Sequence, residues 1–153
     1  MNRIRVFLDT NVLVYAHDSL SEHHTDSADL LSMILQGTFQ GVIAEQNLIE
    51  LYRILTNPIA TRGNSLSAYQ ASLLIQNTYL SGQFELTYPT QETIQKTLEF
   101  AVQRNITSAK IFDLRLAAVA LSARVNYLAT YNTKDFTEID DLIPLLPQQI
   151  TAL

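Results

Sequence analysis

Short runs rich in apolar residues alternate along the chain with longer stretches in which apolar side chains recur every three or four positions. The short runs lie at 4–8, 41–44, 84–88, 127–131 and 142–146. They read as strands of a mostly parallel sheet covered on both faces, because the apolar character is close to continuous rather than strictly alternating. The longer stretches predict helices over 23–36, 45–57, 65–80, 90–105 and 112–125, with a further short one inside "DTNVLVYAHD" capped by Thr10 or Asn11. Leu30, Leu31, Ile34 and Leu35 form the apolar side of the first of these. Leu48, Leu51, Tyr52 and Leu55 do so for the helix that Pro58 stops. Strands alternating with helices indicate an α/β fold, whose ligand sites lie beyond the carboxyl ends of the strands.

One residue breaks this pattern early. "VFLDTNVLVYA" is an apolar run interrupted by Asp9-Thr10-Asn11, which puts a carboxylate at the lip of the first core strand. Taking an ionised carboxylate out of water without a partner costs several kcal/mol or more. Either Asp9 caps the following helix, or something positive sits beside it.

Composition narrows the choice. The 153 residues are 47% hydrophobic and 16% charged, which suits a packed core, and no linker or repeat divides them, so residues 1–153 are expected to form a single domain. Without cysteine there is no disulfide, thiolate metal site or Cys nucleophile. The start does not read as a secretory signal, because Asp9 breaks the apolar segment, and "LRLAAVALSA" is far shorter than the ~20 residues of a membrane span. A cytoplasmic location is expected. Ten Lys and Arg against fifteen Asp and Glu give a net charge of −5, so contact with nucleic acid requires a local basic patch or metal ions.

Four further acids or amides occupy unusual positions. Glu50 lies between Ile49 and Leu51, in a stripe with Asn47 beside the apolar face of its helix; the plain reading is a boundary glutamate paired with Arg53 or Arg62. Asp113 opens the most apolar helix and heads the face of Leu116, Ala117 and Ala120, where an N-cap is the plain reading. Asn132 and Asp135 follow the 127–131 strand as Asp9 follows the first. Gathered carboxylates raise one another's pKa, and a hard divalent cation such as Mg²⁺ relieves that conflict. Such a site activates water for attack on a phosphodiester.

Arg53, Arg115 and Lys134 are candidate phosphate contacts, and Tyr15, Tyr52 and Tyr131 candidate base-stacking groups, with core packing the plainer role for Tyr52. His17, His23 and His24 lack a third ligand at metal spacing and read as a solvated segment. No Gly-x-Ser-x-Gly elbow or glycine-rich phosphate loop occurs.

"VFLDTNVLVYA", "AEQNLIELYRIL", "IFDLRLAAVAL" and "LATYNTKDF", in this order and across nearly the whole chain, resemble the PIN-domain ribonucleases, most of all the VapC-type toxins. The resemblance implies a three-layer α/β/α sandwich and an endoribonuclease dependent on Mg²⁺ or Mn²⁺. It places Asp9, Glu50 and Asp113 at the family's first three acids, with the fourth position in the Asn132–Asp135 turn. There Asp135 completes the catalytic and metal-binding set and Asn132 is a weaker, neutral ligand. Thr10, Asn11 and Thr130 become supporting polar groups. An RNA substrate, a small antitoxin protein and a homodimer follow from the family alone. Two other readings stand beside it: a catalytically idle PIN-like module that binds protein or RNA, and a phosphoryl-transfer enzyme with Asp9 as nucleophile, which lacks the expected second aspartate at Asn11.

Overall fold

The computed structural model describes residues 2–153. Its sheet is built from β1 (Arg5–Leu8), β2 (Gln40–Ala44), β3 (Phe84–Thr87), β4 (Tyr127–Ala129) and β5 (Pro144–Leu145). The spatial order is β3-β2-β1-β4-β5, and every neighbouring pair is parallel. Among the described residues the helices are α1 (Thr10–Ala16), α2 (His24–Leu35), α3 (Glu45–Leu55), α4 (Ala68–Tyr79), α5 (Gln91–Arg104), α6 (Ile111–Ser122) and α7 (Pro147–Thr151).

Strand residues divide between two cores, which makes the α/β/α sandwich. Val6, Leu8, Ile43 and Ala129 join the core built from α1, α2, α3, α4 and α7. Phe7, Val42, Ala44 and Leu128 face the other way, onto α5 and α6. Both faces of β1 and β2 are therefore dry, which is why their sequences are nearly unbroken apolar runs. Gly41 is required by close packing: a Cβ there would meet the Phe84 ring at 2.6 Å and the Ile34 side chain at 2.8 Å.

The expected elements form, with local shifts. Asp9 itself, rather than Thr10 or Asn11, caps α1, accepting from the Thr10 backbone N–H at 2.8 Å. The strand expected to reach Tyr131 ends at Ala129, since Thr130 turns its hydroxyl toward Asp9 and the Asn132 backbone N–H. The most apolar helix begins at Ile111 out of a 3₁₀ turn, Ser108–Lys110, so Asp113 lies within the first turn and does not cap it. The short α7 and the two 3₁₀ turns, the second at Thr133–Asp135, carry too few periodic positions to be read from sequence.

Strand order determines where a site forms. From β1 the chain proceeds outward through β2 and β3 on one side, and returns to β4 and β5 on the other. The carboxyl ends of β1 and β4 thus flank the point where the order reverses, where open parallel sheets bind ligands.

Candidate active site

Asp9 follows β1 at that reversal, and its backbone N–H makes the next rung toward β4, donating to the Ala129 carbonyl at 3.0 Å. Thr130, the residue after β4, donates its hydroxyl to Asp9 Oδ2 at 2.8 Å. Asn11 Nδ2 approaches the same oxygen at 3.4 Å.

Glu50 arrives from α3, which starts directly after β2 at the same end of the sheet. Its Oε2 accepts from the Thr10 hydroxyl at 2.7 Å and its Oε1 from Gln46 Nε2 at 2.6 Å. The pairing with Arg53 or Arg62 does not occur: Arg62 bridges to Asp18 at 2.8 Å, and Arg53 is solvent-exposed. Behind Thr10, the buried Asn47 donates to Thr10 Oγ1 at 3.0 Å and accepts from the Ala44 backbone N–H at 2.8 Å. Asn47, which the helical period places beside Glu50 but gives no role, and Gln46, which it does not single out, both support the candidate site. The available signal was an amide on the buried stripe in the first turn of a strongly amphipathic helix, one turn ahead of Glu50.

Asp113 enters from the N-terminal turn of α6, the helix that crosses back to β4, and Asp135 from the turn after β4. The side chains of both lack hydrogen-bond donors among the described residues, in contrast to Asp9 and Glu50. Asn132 is exposed at the start of that last turn, with its backbone N–H on Thr130 Oγ1 at 3.0 Å.

The acids feel one another. Burial pushes Asp9 up to about 6, opposed by the hydrogen bonds from Thr130 and Thr10 and reinforced by the charges of Asp113 and Glu50. Asp113 is raised by burial and then by Asp135 and Glu50, with Lys110 acting weakly against them. Two acids are thus clamped by hydrogen bonds and two are free to turn. Among the described residues no three acidic or histidine side chains stand close enough together to ligate one cation. The donor chemistry nonetheless fits a hard divalent ion, since carboxylate oxygens that repel one another are its usual ligands.

The remaining candidates have more ordinary positions. Arg115 pairs with Glu45 at 3.3 Å, whereas Lys134 lines a cleft with Asp113 and Asp135. The three histidines are not a solvated segment. His17 Nε2 lies 2.6 Å from the hydroxyl of the buried Tyr79, and His24 Nδ1 lies 2.9 Å from the Tyr15 carbonyl. His23 stacks on Tyr131 at 4.2 Å, and Tyr15 meets the same ring edge-on at 5.2 Å, so Tyr15 and Tyr131 pack within the protein. Tyr52, for which core packing was the plainer expectation, is 37% exposed.

A family model described as a PIN domain matches residues 5–134. The chain belongs to the PIN domain family. Solved structures similar to this PIN-domain chain include the Mycobacterium tuberculosis toxin VapC20, described as cleaving the sarcin-ricin loop. It is 14% identical, with a TM-score of 0.62 over 85% of this chain and 92% of that one. VapBC2 of Rickettsia felis, bound to a DNA fragment from its promoter, is 20% identical with a TM-score of 0.65, covering 94% and 98%. VapBC-1 of nontypeable Haemophilus influenzae is 19% identical with a TM-score of 0.64, also covering 94% and 98%. No curated protein matches this PIN-domain sequence. Among the described residues no helix is long and apolar enough to cross a membrane.

Proposed function

We propose that this PIN-domain protein is a metal-dependent endoribonuclease, acting as one domain over residues 1–153 and serving as the toxin of a toxin–antitoxin pair in the cytoplasm. The observation that supports the reading is the convergence of Asp9, Glu50, Asp113 and Asp135 from four distant segments on the reversal point of the sheet, where Asp9 and Asp113 are raised first by burial and then by neighbouring acids.

Asp9, Glu50, Asp113 and Asp135 would hold Mg²⁺ or Mn²⁺, with the Asn132 amide as a neutral ligand. The ion would lower the pKa of a water molecule and stabilise charge developing on the cleaved phosphodiester. Asp9 and Glu50 form the fixed half of the cradle, because Thr130, Thr10 and Gln46 orient their oxygens. Asp113 and Asp135 form the adjustable half and turn inward to complete it. A carboxylate of this cradle would take the proton of the attacking water.

The structures of toxin–antitoxin complexes similar to this chain support a small antitoxin as partner. A homodimer is supported by an exposed apolar row, Ile94, Leu98 and Val102, along α5 beside Phe112 of α6. The functional test is cleavage of a mixed RNA substrate in Mg²⁺ or Mn²⁺, with EDTA and Asp9→Asn controls. Metal-dependent cutting lost in Asp9→Asn upholds the nuclease. Absence of cutting together with absence of metal binding by calorimetry would replace it with an idle binding module.

A further inference from the structure

Two lysines flank the free half of the carboxylate cluster. Lys110 ends the turn that leads into α6, three residues before Asp113, and Lys134 lies beside Asp135 in the turn after β4. One cleft of about 250 Å³ is lined by both lysines, both aspartates and Arg104. A second cleft of about 250 Å³, formed by Tyr131, Asn132, Thr133, Lys134 and Asp135, shares Lys134 and Asp135 with the first. The two clefts adjoin at Lys134 and Asp135, and the first also reaches Asp113.

The cations along this path differ in how far they are committed. Arg104 donates to the Glu138 backbone carbonyl and faces the Glu138 carboxylate at 3.7 Å, so it fastens the loop after the turn. Arg115 is occupied by Glu45. Lys110 and Lys134 are exposed and make no ion pair among the described residues. A chain of net charge −5 needs local cations wherever a polyanion lies.

We infer that Lys110 and Lys134 hold the backbone phosphates on either side of the phosphodiester presented to the carboxylates, so that the paired clefts are the track of the RNA strand. The inference rests on the ribonuclease reading for the identity of the polyanion. Lysine suits this role as a mobile point charge that positions a backbone without reading bases.

The test is fluorescence anisotropy with a short mixed-sequence single-stranded RNA in EDTA, titrated with salt, on the wild-type chain and on Lys110→Gln, Lys134→Gln and Lys96→Gln. Lys96 is paired with Glu99 on α5 and serves as a control for net charge. Each cleft variant is expected to weaken binding about fivefold. Each should also reduce the slope of log K against log salt by about 0.7, the loss of one phosphate contact on a single strand. Lys96→Gln should match wild type, and all three variants should melt as wild type does. Unchanged slopes in the cleft variants, an equal change in Lys96→Gln, or no RNA binding by wild type would overturn the inference. Cleavage in Mg²⁺ or Mn²⁺ with unchanged slopes would sink the track and leave the nuclease standing. Lowered slopes without any metal-dependent cleavage would do the reverse.

Discussion

Thr10 donates its hydroxyl to Glu50 at 2.7 Å, across forty positions of sequence, and so ties the start of α1 to the middle of α3. The same oxygen accepts from the buried Asn47, so one small side chain carries both a support and a site acid.

Thr10→Ala would strip Asn47 of an acceptor and Glu50 of a donor. Leaving a buried amide unsatisfied costs about 1–3 kcal/mol, seen as a lower urea midpoint. Loss of an orienting partner is expected to reduce RNA cleavage by about 10–100-fold, and Thr10→Ser should restore both properties. A Thr10→Ala chain that cleaves like wild type would show that Glu50 needs no orientation.

Asp9 is pushed up to about 6 from an ordinary 3.8. Between those values the folded chain keeps a proton that the unfolded chain has released, so stability falls as pH rises through the window. The penalty is fully present above it and amounts to about 3 kcal/mol. Asp9→Asn should therefore be more stable than wild type in urea at about pH 7.5 and nearly equal at about pH 4. Added Mn²⁺ should narrow the gap at the higher pH by stabilising wild type alone. Equal stability of the two chains at the higher pH would contradict the strain.

His17 acts with the opposite sign. Burial lowers it to about 4 from 6.5, so its contribution is complete above the higher value and is lost as pH falls toward the lower. His17→Gln keeps a polar partner for the Tyr79 hydroxyl and removes the titration. In wild type the two groups offset one another over the shared interval. The His17→Gln stability curve should consequently fall with rising pH between about 4 and 6, where wild type is flatter. Parallel curves for the two chains would exclude His17 as the balancing group.

Gly41→Ala tests the packing between β2, β3 and α2. The added methyl meets ring and branched carbons at 2.6 and 2.8 Å, and overpacking of this kind costs about 1–3 kcal/mol. Thermal unfolding should show the loss.

The layered fold and the unusual acids were legible in the order of residues alone. Continuous apolar runs such as Val6–Phe7–Leu8 can only be strands wetted on neither face, and the helical period of 45–57 exposes Asn47 and Glu50 as polar members of a nearly buried stripe. Asp9, at the end of such a run, is legible as misplaced because local chemistry alone cannot compensate its burial. The partners of those acids became visible once the strands were set side by side. Thr130 reaches Asp9 across 121 positions, Gln46 rather than an arginine meets Glu50, and Arg115 turns away to Glu45. The histidines that looked solvated are half-buried, because each meets a tyrosine: His17 the Tyr79 hydroxyl, His24 the Tyr15 carbonyl and His23 the Tyr131 ring. Periodicity along a chain reports which face of an element is dry. Side-chain pairing depends on the order in which the strands lie side by side, and here it was the reversal between β1 and β4 that brought Asp9 and Thr130 together.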